Sequence, residues 1–155
     1  MIYNYYYHSI IDGNIKTPNY PDLYPYRSEC RWTIKAPDFT DKILLTFSHL
    51  DTFVDPLTGN SETCVQSDFI QVYEGDISDQ TKKYCGQAVP LPFLSNGNQL
   101  KVYFDGRRST INTQRHGFFA TYTTTTDQCG GEYWSSEGYF SSPGYNQDRL
   151  LNFYV

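Results

Sequence analysis

This chain predicts an all-β fold, an antiparallel β-sandwich, and three observations carry the prediction. Aromatic residues make up 17% of the 155 residues, with 15 Tyr and 10 Phe beside a single Met. Aromatic and β-branched side chains pack well on a pleated surface. Short apolar alternations recur along the chain, separated by clusters of Gly, Pro, Asn and Asp. No run with a period of about 3.6 residues competes with them. Two antiparallel sheets closing over one core follow.

The elements can be taken in order. Cys30, Trp32, Ile34 and Ala36 alternate with Arg31, Thr33 and Lys35, so the apolar set shares one face of a strand. Ile43 to Phe47, Asp68 to Tyr73, Leu100 to Phe104 and Phe118 to Tyr122 read the same way. Between them lie segments with turn chemistry: Pro18-Asn19-Tyr20-Pro21-Asp22, Asp55-Pro56-Leu57-Thr58-Gly59-Asn60 and Ser95-Asn96-Gly97-Asn98.

Late in the chain the sequence begins to repeat. Gly13, Pro18 and Tyr20 recur as Gly138, Pro143 and Tyr145, each displaced by the same 125 positions. That spacing is far longer than a solenoid unit, so each copy is expected to be a domain in a string. The expected organisation is one module over residues 1–124, a short linker at 125–128, and the truncated start of a second module at 129–155. So brief a linker leaves consecutive domains close together.

Four cysteines occur, at 30, 64, 85 and 129. Three pairings are possible, and spacing alone does not choose among them. The repeat places the equivalent of Cys129 at Asn4 and the equivalent of Cys30 near residue 155, where the chain ends. Cys30 and Cys129 thus look like halves of two different bridges, each unpaired within this chain, and Cys64 with Cys85 remains. A Cys30–Cys129 bridge is possible but unmotivated, and four free thiols are the alternative to any bridge. An oxidising, extracytoplasmic setting is implied. The tyrosine-rich opening, residues 1–10, stands where a cysteine is expected and is atypical of the module.

Composition also excludes partners. A formal net charge of -5 disfavours nucleic acid, since phosphate binding needs an excess of Lys and Arg on one face. No stretch approaches the roughly 20 apolar residues that span a bilayer. The His residues at 8, 49 and 116 lack metal-ligand spacing, and no nucleophile elbow, P-loop or zinc-protease helix motif occurs. The surplus of tyrosine suits a binding face, with Tyr24, Tyr26 and Tyr73 as candidates for exposure.

The landmarks together resemble the CUB domain family. Gly13 to Pro21 is similar to its glycine-led opening, and Cys30-Arg31-Trp32-Thr33-Ile34 to its Cys-x-Trp-x-Ile run. Leu45 to Asp51, Cys64 with Asp68 to Gly75, Tyr84-Cys85-Gly86, Leu100 to Phe104 and Gly117 to Tyr122 follow in family order over about 110 residues. Cys129-Gly130-Gly131 resembles the opening of a second such module. The resemblance implies a β-sandwich of secreted and cell-surface proteins that recognises proteins and does not catalyse. Two function classes follow from it. One is a ligand-binding segment of a multi-CUB receptor, endocytic receptors included. The other is a non-catalytic substrate-recognition module of a secreted protease, tolloid-like or complement-type. Extracellular proteins and adjacent CUB modules are the expected partners.

The resemblance also raises calcium. Many CUB domains hold one Ca2+ with a glutamate and two aspartates, and the cluster receives a lysine from the partner. Asp68 matches one of these ligands, but Phe53 stands where the glutamate is expected and Arg107 where the second aspartate is. An aromatic ring and a cation are the wrong donors for a hard ion. Asp55 and Asp105 could substitute only in a shifted register. No cofactor is therefore expected, with Ca2+ the one candidate. Asp68 is expected to bond loop amides, and Arg107 is a candidate to pair with it in place of the ion.

Overall fold

The structure, a computed structural model, describes residues 11–75 and 81–125, together with two short strands at 137–138 and 153–154. Two four-stranded antiparallel sheets pack face to face. One has the order β1 (Asp12–Lys16), β8 (Gly117–Thr125), β3 (Lys42–Asp51), β6 (Phe93–Leu94). The other runs β2 (Ser28–Lys35), β7 (Gln99–Gly106), β4 (Phe69–Tyr73), β5 (Lys83–Tyr84). A separate two-residue pairing joins β9 (Glu137–Gly138) to β10 (Phe153–Tyr154).

Period-two patterning sets which residues face inward. Ile43, Leu45 and Phe47 of β3 are buried, as are Ile70 and Val72 of β4 and Leu100, Val102 and Phe104 of β7. Phe118 sits at the centre, its ring 5.3 Å from Trp32, 5.7 Å from Phe47 and 6.1 Å from Phe104. Edge-to-face and tilted ring pairs of this kind contribute beyond the area they bury.

Three features depart from the sequence pattern. Strand β1 and the two-residue strands β5 and β6 carry too few alternating apolar residues to register. β3 extends to Asp51 through an irregularity between Phe47 and His49. β8 also runs on to Thr125, opposite Lys42, so the first residue of the expected linker lies in the sheet. Its neighbour Thr124 is buried and exchanges hydrogen bonds with Ile11: Ile11 N donates to Thr124 Oγ1 at 2.8 Å, and Thr124 N to Ile11 O at 2.8 Å. Residues 126–128, Cys129 and most of the expected second module lie outside the described residues, as does the atypical opening at 1–10.

Cys64 and Cys85 form a disulfide across a sequence separation of 21. In the chain-entropy picture a loop of this length contributes about 3 kcal/mol. Beside it Thr52 N donates to Gly86 O at 2.9 Å and Gly86 N to Thr52 Oγ1 at 2.8 Å. The bridge thus fastens the long β3–β4 connection to the segment after β5. Among the described residues Cys30 has no disulfide partner, and it is half-buried against the core. Burial, then the neighbouring Glu29 charge, raises its pKa, which keeps it protonated and weakly nucleophilic.

Candidate functional site

Loops from three parts of the chain gather at one end of the sandwich, around Asp68. The 52–68 connection folds on itself: Asp68 N donates to Phe53 O at 2.9 Å, and Val54 bridges Ser67. The segment after β1 joins the β7–β8 loop, with Tyr24 N donating to Arg115 O at 2.9 Å and Gln114 Nε2 to Tyr24 O at 2.7 Å.

Tyr24, a candidate for exposure by sequence, is fully buried. It sits in a stretch of turn residues with no strand periodicity, so nothing local announced its burial. Its ring stands edge-on to Phe104 at 5.1 Å. Its hydroxyl donates to Asp68 Oδ2 at 2.7 Å and accepts from Phe53 N at 3.2 Å. Burial, reinforced by the Asp68 charge, pushes the phenol pKa far up. The group stays a donor at any ordinary pH. Tyr26 is exposed and Tyr73 half-buried.

Asp68 has no accessible surface, and its carboxylate is filled by the protein. Arg108 N donates to Oδ1 at 2.7 Å, and Ser109 N reaches Oδ1 at 3.1 Å and Oδ2 at 3.3 Å. With the tyrosine, three donors surround a buried anion, the arrangement such a charge needs. The expected bonding to loop amides is what the structure shows.

Arg107 does not pair with Asp68. It grips Asp105, with Nε 2.8 Å from Oδ1 and Nη2 2.6 Å from Oδ2, and its own amide also donates to Oδ1 at 3.1 Å. The reason is local geometry: Arg107 follows the end of β7 by one residue and stands two positions from Asp105, whose carboxylate is within reach of both its amide and its guanidinium. Its Nη1 lies 3.7 Å from Glu29.

Burial works to raise the Asp105 pKa, but the hydrogen bonds and charge of Arg107 outweigh it and hold the group below its ordinary value. A carboxyl lowered in the folded state stabilises above its unfolded pKa, and that contribution is lost as pH falls through the folded value. Because Arg107 is half in solvent, the contribution is discounted to about 1 kcal/mol or less. Asp105→Asn should lower the midpoint of urea unfolding slightly at neutral pH. It should also flatten the fall in stability below about pH 4. Parallel acid profiles for the two proteins would count against the pair.

The donor set does not fit calcium. Asp68 has its lone pairs committed to three protein donors, Phe53 is buried in the place of a glutamate, and Arg107 brings a positive charge. Neither shifted-register candidate is available. Asp55 Oδ1 accepts from the amides of Leu57 at 2.9 Å and Thr58 at 2.8 Å, closing its own turn, and Asp105 holds Arg107. Among the described residues no group of three or more His, Cys, Asp or Glu is placed to hold a metal ion.

Two histidines lie among the described residues. His49 lies against the Tyr20 ring at 5.5 Å, and His116 Nδ1 is 2.8 Å from Pro21 O. Asp51 joins loop to sheet, accepting from Gln87 Nε2 at 3.1 Å and His116 N at 3.2 Å.

The sandwich, the 64–85 bridge and the strand order of landmarks define a class, and the chain belongs to the CUB domain family, whose profile matches residues 8–122. It is 41% identical over 138 residues to cubilin from Rattus norvegicus, covering 88% of this chain and 4% of that protein. It is 37% identical over 116 residues to procollagen C-endopeptidase enhancer 1 from the same species, covering 72% of this chain and 22% of the relative. This chain therefore spans a small part of the relatives it matches. Among solved structures, the MASP-1 CUB2 domain bound to Ca2+ aligns with a TM-score of 0.55 at 25% identity, over 72% of this chain and 90% of that one. CUB domains are typically extracellular, generally non-catalytic binding modules. Among the described residues no helix is long and apolar enough to cross a membrane.

Proposed function

We propose that this chain is a ligand-binding segment of an extracellular multi-CUB receptor of the endocytic kind, and that its described module recognises a protein partner without calcium. The observation that carries the second half is the buried Asp68 carboxylate, whose coordination by Tyr24, Arg108 and Ser109 leaves it no vacancy for an ion. Support for the first half comes from the cubilin likeness over most of the chain and from the repeat of Gly13, Pro18 and Tyr20 at Gly138, Pro143 and Tyr145. Residues 129–155 read as the start of the next module. The disulfide suits an oxidising compartment.

A second reading, a non-catalytic substrate-recognition module of a secreted protease, draws on the likeness to the endopeptidase enhancer. Coding sequence on either side separates the two: further CUB repeats favour the receptor, and a protease segment favours the alternative. Calcium-independence is tested by calorimetric titration of the chain with Ca2+, paired with thermal melting in calcium and in chelator. No heat of binding and a single melting temperature are expected. Stoichiometric binding with a raised melting temperature would overturn the reading.

A further inference from the structure

The outward face of the β2-β7-β4-β5 sheet sets cations on aromatic rings. Arg31 lies over Tyr103 at 4.9 Å, Lys83 over Phe69 at 4.3 Å and Lys101 over Tyr73 at 5.9 Å. Register explains the pattern, because Arg31, Tyr103, Gln71 and Lys83 form one cross-strand row and Glu29, Asp105 and Phe69 the next. Phe69 also packs edge-on to Tyr103 at 6.1 Å.

Both carboxylates of this face are already held. Glu29 accepts from Arg31 at 2.9 Å and lies 3.7 Å from Arg107, and Asp105 is gripped by Arg107. Arg108 is different. Its backbone amide is bound to Asp68, but its exposed guanidinium makes no ion pair or side-chain hydrogen bond among the described residues. It opens instead onto a shallow depression of about 410 Å³ lined by Phe69, Asp105, Arg107 and Arg108. Lys83 rests on the ring of Phe69, one of the residues that line it. On a chain whose net charge is -5, this end of the sheet is locally cationic.

We infer that this depression is a docking site for an acidic segment of a protein partner, with one partner carboxylate held by the Arg108 guanidinium and its chain laid beside the half-buried Phe69. The inference rests on the protein-binding reading above and names the chemistry of the partner. Arginine matches a carboxylate in planar, two-point fashion, and the half-buried Phe69 supplies apolar contact beside it. Charge complementarity of this kind sets specificity and encounter rate.

The test uses the whole chain with a fluorescent polyglutamate peptide, a polyglutamine peptide and heparin as probes, read by anisotropy at low and physiological salt. Polyglutamate should bind and polyglutamine should not. Arg108→Glu should weaken polyglutamate binding at least about tenfold, and Arg108→Ala should weaken it less. Lys16→Glu, on an exposed position of the opposite sheet, makes the same charge change and should leave binding within about twofold. Equal losses for Arg108→Glu and Lys16→Glu would reduce the effect to net charge and overturn the site. No polyglutamate binding, or binding of heparin alone, would overturn the assigned partner chemistry. Neither result bears on the calcium titration, so failure of this inference and failure of calcium-independence are read separately.

Discussion

Asp68→Ala is expected to lower the unfolding free energy of the module by about 4 kcal/mol, equally in calcium and in chelator. The substitution removes a buried acceptor and strands three donors: the Tyr24 hydroxyl and the amides of Arg108 and Ser109. Each unsatisfied buried donor costs about 1–3 kcal/mol, and the sum is tempered by whatever water enters the gap. Against a typical stability of about 5–15 kcal/mol this is a large fraction. Tyr24→Phe should cost less, about 2 kcal/mol, since it leaves Asp68 two amides while depriving Phe53 N of its acceptor. The double variant should lose less than the sum, because both changes break the same bond. Urea denaturation with an unchanged m-value measures all three. A loss that appears only in calcium would make Asp68 an ion ligand. A loss under about 1 kcal/mol would mean that solvent replaces the carboxylate at little cost.

The second large effect is expected at Gly117, where β8 begins. Its φ of 81° lies in the left-handed region, which costs other residues about 1–2 kcal/mol. A Cβ there would also overlap the Thr17 hydroxyl and stand 2.7 Å from both Thr17 Cβ and Cγ2. Thr17 cannot easily give way. It is buried, its Oγ1 donates to His116 O at 3.3 Å and accepts from Phe118 N at 3.2 Å, and its own amide donates to Phe118 O at 3.2 Å. Gly117→Ala should therefore destabilise by about 3 kcal/mol or more, from backbone strain and overpacking together. Gly75 supplies the control: its φ is 70° but, among the described residues, nothing lies within 4 Å of an added Cβ. Gly75→Ala should cost only the backbone share, about 1 kcal/mol. Equal losses at the two sites would show that Thr17 moves aside freely.

The strand pattern was readable wherever one face of a strand meets the core. Ile43, Leu45 and Phe47, or Leu100, Val102 and Phe104, alternate because period two is built into an extended chain. The Cys64–Cys85 pairing was reachable for a different reason: the repeat singled out Cys30 and Cys129 as halves of other bridges. The site was less legible. Asp68 stood out only by resemblance, and its true partners lie 44 residues earlier at Tyr24 and about 40 later at Arg108 and Ser109. Two of those partners are backbone amides, which leave no mark in an amino-acid sequence. The Asp105–Arg107 pair did leave one, since two charged residues of opposite sign stand only two positions apart.

What the sequence by itself determined about this protein is the sandwich, the inward faces of its long strands, the family and the absence of two of three expected calcium donors. Each of these follows from local periodicity or residue identity. Only the tertiary structure decided that Tyr24 is buried rather than displayed and that Arg108 is left open beside Phe69. Those outcomes depend on which loops converge at one end of two packed sheets, and that convergence is fixed by long-range strand pairing that no single stretch of chain contains.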